Sequence, residues 1–83
     1  LRRLVFDIET DPIPATKIWC ICALDIDTGE EYKYGPSELE EGYKLLSSVD
    51  KLIGHNIIGF DVPVLKNLAR VDLTDKILVD TLV

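Results

Sequence analysis

The sequence predicts a single α/β domain built on a mixed sheet, with elements in the order β-β-β-α-β-α-β. Three observations carry this expectation. Short apolar runs of strand length open the chain, separated by turn chemistry. Two stretches of helical periodicity follow, each leading into another short apolar run. The 83 residues leave room for one domain, and an apolar share of 47% excludes a compositionally disordered chain. A meander followed by helical crossovers implies antiparallel pairing first and parallel pairing later. A domain this small buries about 60–65% of its unfolded surface, so modest stability is expected.

The first strand is expected over residues 4–8, and Pro12 and Pro14 mark a loop after it. Residues 18–24 (IWCICAL) read as a second, mostly buried strand. Asp25, Asp27, Thr28 and Gly29 supply a turn, with Gly29 able to take a positive φ. Asp25 and Asp27 have the spacing of a calcium loop, but Gly29 falls one position early and Pro36 stands where the last carboxylate would be. Residues 31–34 alternate and close a hairpin. Ser37 and Glu40 form a capping-box pattern, and Leu39, Tyr43 and Leu46 then recur at helical spacing as far as Ser48. Residues 51–54 read as a short buried strand. A second helix is expected from Phe60 or Asp61, with Pro63 in the first turn, where no backbone donor is needed. Val64, Leu65 and Leu68 form its apolar face. Residues 76–79 read as the last strand, and Asp80 and Thr81 as the start of a further helix, with Asp80 its cap or else a carboxylate that supports the metal ligands from behind.

The formal net charge of −6 argues against a protein that binds nucleic acid by phosphate neutralisation alone. It is compatible with a metal-dependent nuclease, because bound cations invert the local charge. No apolar run approaches the ~20 residues of a membrane helix. No signal peptide is visible and the first residue is not Met, so an excised or trimmed piece is expected. Cys20 and Cys22 share one strand face. With a single His and no second Cys pair, they read as free thiols packed in a reducing compartment rather than half a zinc site.

Asp7 and Glu9 carry the chemistry. Two residues apart on a strand, they project to the same face of a segment whose other residues call for burial. Like charges that close are costly unless a cation lies between them, and carboxylate oxygens suit Mg²⁺ or Mn²⁺. The alternative is a strand end with two solvated acids. Ligands on such sheets gather at the carboxyl ends of the parallel strands, where Asp7, Glu9, Asn56 and Asp80 are expected, with Asp61 at the start of the next helix. Asp61 should face the strand carrying Asp7, or else serve only as an acid favoured by the helix dipole. Three acids around one cavity suit two-ion phosphoryl chemistry. Asp7 would bridge both ions, Glu9 would complete the ion bearing the nucleophile, and Asp61 would complete the other. Ile8 and Thr10 would line the substrate cleft. Asn56 would donate to a phosphate or sugar, or cap its turn. Phe60 would stack on a terminal base, or pack beneath the helix. His55, the sole histidine, reads as a polar residue at a strand end in preference to a general base.

Residues 6–10 (FDIET) resemble the first motif of the DEDD 3′–5′ exonucleases, which have a ribonuclease H-like fold. Residues 56–61 (NIIGFD) resemble the second, N-x-x-x-[FY]-D. Residues 54–65 and 80–83 (DTLV) resemble in particular the proofreading domain of T7-type family A DNA polymerases. Family B polymerases share similar motif wording but place a longer stretch between the motifs. The resemblance implies two-metal-ion hydrolysis, with Mg²⁺ or Mn²⁺, of the 3′-terminal phosphodiester of single-stranded DNA. It implies a polymerase domain as partner in the parent chain and a cytoplasmic setting in a bacterial or phage-infected cell. The family's third motif, a Tyr or His followed by the last catalytic Asp on a later helix, is not among these residues. The expectation is therefore the N-terminal part of an exonuclease domain that binds metal weakly and hydrolyses DNA poorly or not at all on its own. An exoribonuclease of the same fold and a non-catalytic interaction module are the alternatives.

Overall fold

A computed structural model describes residues 1–11 and 15–82. The expected loop at Pro12 and Pro14, and the terminal Val83, lie outside the described residues. The strands are β1 (Arg3–Thr10), β2 (Ile18–Asp25), β3 (Glu31–Tyr34), β4 (Lys51–Gly54) and β5 (Ile77–Asp80). Helix α1 (Leu39–Ser48) joins β3 to β4, and a π-helical turn (Ile57–Asp61) runs directly into α2 (Val62–Ala69) before β5. The expected order is therefore present. The sheet is open and mixed, in the spatial order β3-β2-β1-β4-β5. β1 pairs antiparallel with β2 and β2 with β3, whereas β4 pairs parallel with both β1 and β5. This arrangement is consistent with a ribonuclease H-like fold.

Handedness explains where the helices lie. β3 runs parallel to β4, because two antiparallel steps separate it from β1. The crossovers β3-α1-β4 and β4-α2-β5 thus both join parallel strands, and both move the same way across the sheet. Right-handed crossovers in one direction place both helices on one face. The burial pattern agrees. Leu4, Phe6 and Ile8 from β1 are buried in a single core with Ile21, Leu46, Leu52, Ile57, Val62 and Leu65. Val5, Asp7 and Glu9 alternate to the opposite face, which no described helix covers.

Two expectations are corrected. The capping box does not form: α1 begins at Leu39 with Glu38 at its N-cap and no side-chain cap bond. A turn instead precedes the helix, with the Glu38 N–H donating to the Gly35 carbonyl at 2.9 Å. Once a backbone bond closes the turn, the Ser37 hydroxyl is not where the helix starts. Cys20 and Cys22 are free thiols, as expected, but their strand is not covered on both sides. They are half-buried and stand opposite Glu9 and Asp7, on the face away from the helices.

Gly54 closes β4 and is buried. A Cβ there would lie 2.5 Å from Ile57 Cγ2 and 2.8 Å from the Phe6 carbonyl oxygen. The second contact is backbone and cannot rotate away. Gly54→Ala is expected to destabilise the fold by about 1–3 kcal/mol, by forcing β4 and the π-helical turn apart from β1. Urea unfolding followed by circular dichroism measures the loss.

Candidate functional site

The site is built where β4 stops and β1 continues. The parallel pairing covers only Arg3–Val5 of β1, so the backbone of β1 beyond Phe6 has no strand neighbour on that side. The Ile8 N–H points into this gap. Asp61 fills it, its Oδ2 accepting from the Ile8 N–H at 3.2 Å. A carboxylate from the turn after β4 thus takes the place of a strand, because a buried N–H without an acceptor is costly.

Asp61 reaches β1 through a turn held at several points. Asn56 adopts the left-handed conformation, φ 55°, which suits Asn better than most residues. Its side chain folds over Gly59, where a Cβ would lie 2.6 Å from Asn56 Oδ1. The Phe60 N–H donates to the Asn56 carbonyl at 3.0 Å. Asp80, the last residue of β5, accepts from the N–H of Asn56 at 2.8 Å and of Ile58 at 2.9 Å. Asp80 was expected to cap a further helix. It does accept from the Leu82 N–H at 2.8 Å, but its other bonds tie β5 to the turn that carries Asp61. These backbone donors hold its carboxyl below the usual range.

Asp61 is 3% exposed. Burial pushes its carboxyl up to about 6, opposed by the Ile8 N–H and reinforced by the charges of Asp7 and Asp80. Asp7 and Glu9 are exposed, on the face of β1 away from the helices. Neither enters an ion pair among the described residues. Asp61 thus lies beside β1 and within the influence of Asp7. Among the described residues, however, no group of three or more His, Cys, Asp or Glu side chains is arranged to hold a metal ion.

The remaining residues divide by location. The Ile8 side chain is buried in the core, so only its backbone belongs to the site. Thr10 ends β1, and its hydroxyl donates to the Asp11 carbonyl at 3.0 Å. Phe60 is half-buried against the core. His55 Nδ1 lies 3.4 Å from Thr81 Oγ1. Trp19 joins these residues only in the folded chain. It stands at the bulge where β2 departs from register with Glu9 and Thr10, and it is 44% exposed. The sequence carries little signal for it, because every residue from Ile18 to Leu24 is apolar and no alternation marks the open face.

No protein-family model matches this chain, and no curated protein matches it by sequence. Among solved structures it is similar to the family B DNA polymerase of the hyperthermophilic archaeon Pyrobaculum calidifontis. The TM-score is 0.67 at 23% identity, over 93% of this chain and 13% of the polymerase. That likeness establishes the fold. The matched polymerase is a family B protein, whereas the sequence motifs led to an expectation of family A. The chain spans a small part of the polymerase it matches, and no helix is long and apolar enough to cross a membrane among the described residues.

Two outcomes follow from the Asp61 and Asp80 contacts. The unfolded chain releases the Asp61 proton near 3.8, the folded chain near 6. The stability contributed by this proton is therefore full below 3.8 and is lost as pH rises through about 6. The loss is on the order of 2–3 kcal/mol. Asp11, Asp25, Asp27, Asp72 and Asp80 are shifted the opposite way and act below that window. The unfolding free energy of the wild type, extrapolated from urea titrations, should fall between pH 4 and pH 7 by about that amount, and that of Asp61→Asn should not. Asp80→Ala removes the acceptor of the Asn56 and Ile58 amides, and hydrogen exchange at both should accelerate relative to the core strands.

Proposed function

We propose that the chain is the N-terminal part of a metal-dependent 3′–5′ exonuclease domain, acting on the 3′ end of single-stranded DNA as a proofreading unit of a DNA polymerase. The observation that carries this reading is the Ile8 N–H bond to Asp61. It brings the acid of the second motif against the strand that bears Asp7 and Glu9. The likeness to a polymerase chain supports it at the level of the fold.

The donor chemistry suits Mg²⁺ or Mn²⁺. Asp7 and Glu9 offer hard oxygen donors free of ion pairs among the described residues, and both project from one strand face. Asp7 would hold both ions, with Glu9 completing one set and Asp61 the other. A bound divalent ion supplies a lowered pKa for an attacking water and a charge to stabilise the leaving oxygen. The protein's own part is to place and charge the acids. Asp61 Oδ2 stays on the Ile8 N–H, which fixes the carboxyl against β1. A cation near Asp7 would favour the ionised form of Asp61, against the burial that raises its pKa. Ile8 would contribute backbone rather than side chain to the cleft, and Thr10 would edge it. Asn56 and Phe60 lie on the turn below, where substrate contact would come from their exposed edges.

The Asp61 carboxyl is partly protonated near pH 6, so metal binding should strengthen as pH rises from 5 to 7.5. Titration of Mn²⁺ into this chain, followed by electron paramagnetic resonance, should show one weak site with that dependence. Asp7→Ala should weaken it about 10-fold or more. In a chain that also carries the third motif, Asp7→Ala should lower trimming of a labelled single strand by at least ~10²-fold. Mn²⁺ binding indifferent to Asp7, with no trimming by the longer chain, would favour the non-catalytic module. Trimming of RNA in preference to DNA would favour the exoribonuclease.

A further inference from the structure

Trp19 is the only tryptophan of the chain, and it is 44% exposed. An indole of this size is normally drawn into a core or an interface. It is held out here by a specific irregularity. Glu9 pairs with Cys20 but Thr10 pairs with Ile18, so β2 carries one extra residue, and that residue is Trp19. Ile18 and Ile21 are both buried in the core. The two residues between them therefore lie on the opposite face, Cys20 facing Glu9 and Trp19 beside the Glu9–Thr10 step. Bulges of this kind re-aim a side chain and are over-represented next to active sites.

The surroundings are those of a base-stacking position. Lys17 Nζ lies 4.4 Å from the centroid of the indole, close enough for a cation–π contact. Lys33 pairs with Cys22 across β2 and β3, which places a second ammonium on the same sheet face as Asp7 and Glu9. One face thus combines an exposed aromatic ring, two cations and the two acids of the first motif. Single-stranded nucleic acid is bound in this way, with bases stacked on aromatic rings and phosphates on flanking Lys or Arg.

We propose that Trp19 is a substrate-positioning residue that stacks an unpaired base of a single strand, with Lys17 meeting the adjacent phosphate. This rests on the exonuclease reading for the choice of ligand but not for the geometry. The bulge sets the ring beside Glu9, so a base stacked there would bring its neighbouring phosphodiester toward the acids. Every base has an aromatic face, so the contact is insensitive to sequence. A duplex, whose bases are already stacked, should not make it.

Trp19 fluorescence reports directly on its own contact. The probe is a short thymidine strand with a phosphorothioate at its 3′ linkage, which resists hydrolysis, titrated with Mn²⁺ present. Saturable quenching is expected with the single strand and not with its duplex. Trp19→Ala should weaken binding of the same strand, dye-labelled and read by anisotropy, by about 5–100-fold, and Trp19→Phe should retain most of it. Circular dichroism of both variants verifies the fold, and Trp19→Phe keeps the ring if the alanine variant is unstable. Binding without quenching, equal affinity in Trp19→Ala, or no binding of the strand would each overturn the proposal. Quenching in a longer chain that never trims DNA would remove the exonuclease reading and leave the stacking position standing.

Discussion

The hydrogen bond from the Ile8 N–H to Asp61 is the constraint on which the rest of the site depends. β1 is longer than β4, so the sheet leaves a donor exposed at its centre, where solvent is excluded and no strand is available. Only an acceptor delivered by the chain leaving β4 can reach it. That requirement accounts for the left-handed Asn56, for Gly59 beneath its side chain, and for the π-helical widening that carries Asp61 over β1. π-helical turns of this kind often mark functional sites, and here the extra residue has a mechanical purpose.

The buried position that this bond fixes accounts for the electrostatics. A carboxyl drawn into the sheet loses its hydration and resists ionisation, and the charge of Asp7 adds to the resistance. Asp80 sits in the opposite environment. Three backbone amides point at it, so it stays ionised while bracing the turn. Two aspartates close to one strand end therefore have pKa values displaced in opposite directions, Asp61 upward by burial and Asp80 downward by the backbone amides that point at it. A buried acid that holds its proton to about 6 therefore lies beside the strand that carries the exposed Asp7 and Glu9.

Topology decides what that acid can face. Crossovers of one hand moving one way across the sheet cover a single face, and leave Asp7, Glu9, Cys20, Cys22 and Trp19 together on the other. The bulge between β1 and β2 adds a residue at the carboxyl end of that face, where Glu9 stands. The surface beside the acids therefore contains a thiol pair, an exposed indole and nearby lysines.

The sequence by itself determined the element order, four of the five strand positions nearly to the residue, and Asp7 and Glu9 on one face. These follow from local alternation and helical spacing, which neighbouring residues set. It also made Asp61 the expected companion of Asp7. The start of α1 was not legible, because a turn bond from Glu38 to Gly35 competes with the Ser37 cap and depends on how β3 delivers the chain. The role of Asp80 was not legible either, since its partners Asn56 and Ile58 come from another strand's exit. The open face of β2 was not legible, because an apolar strand looks alike whether one side or both are covered. Only the tertiary structure decided these points, because each rests on a donor, a neighbour or a covering layer supplied by residues far away in the chain.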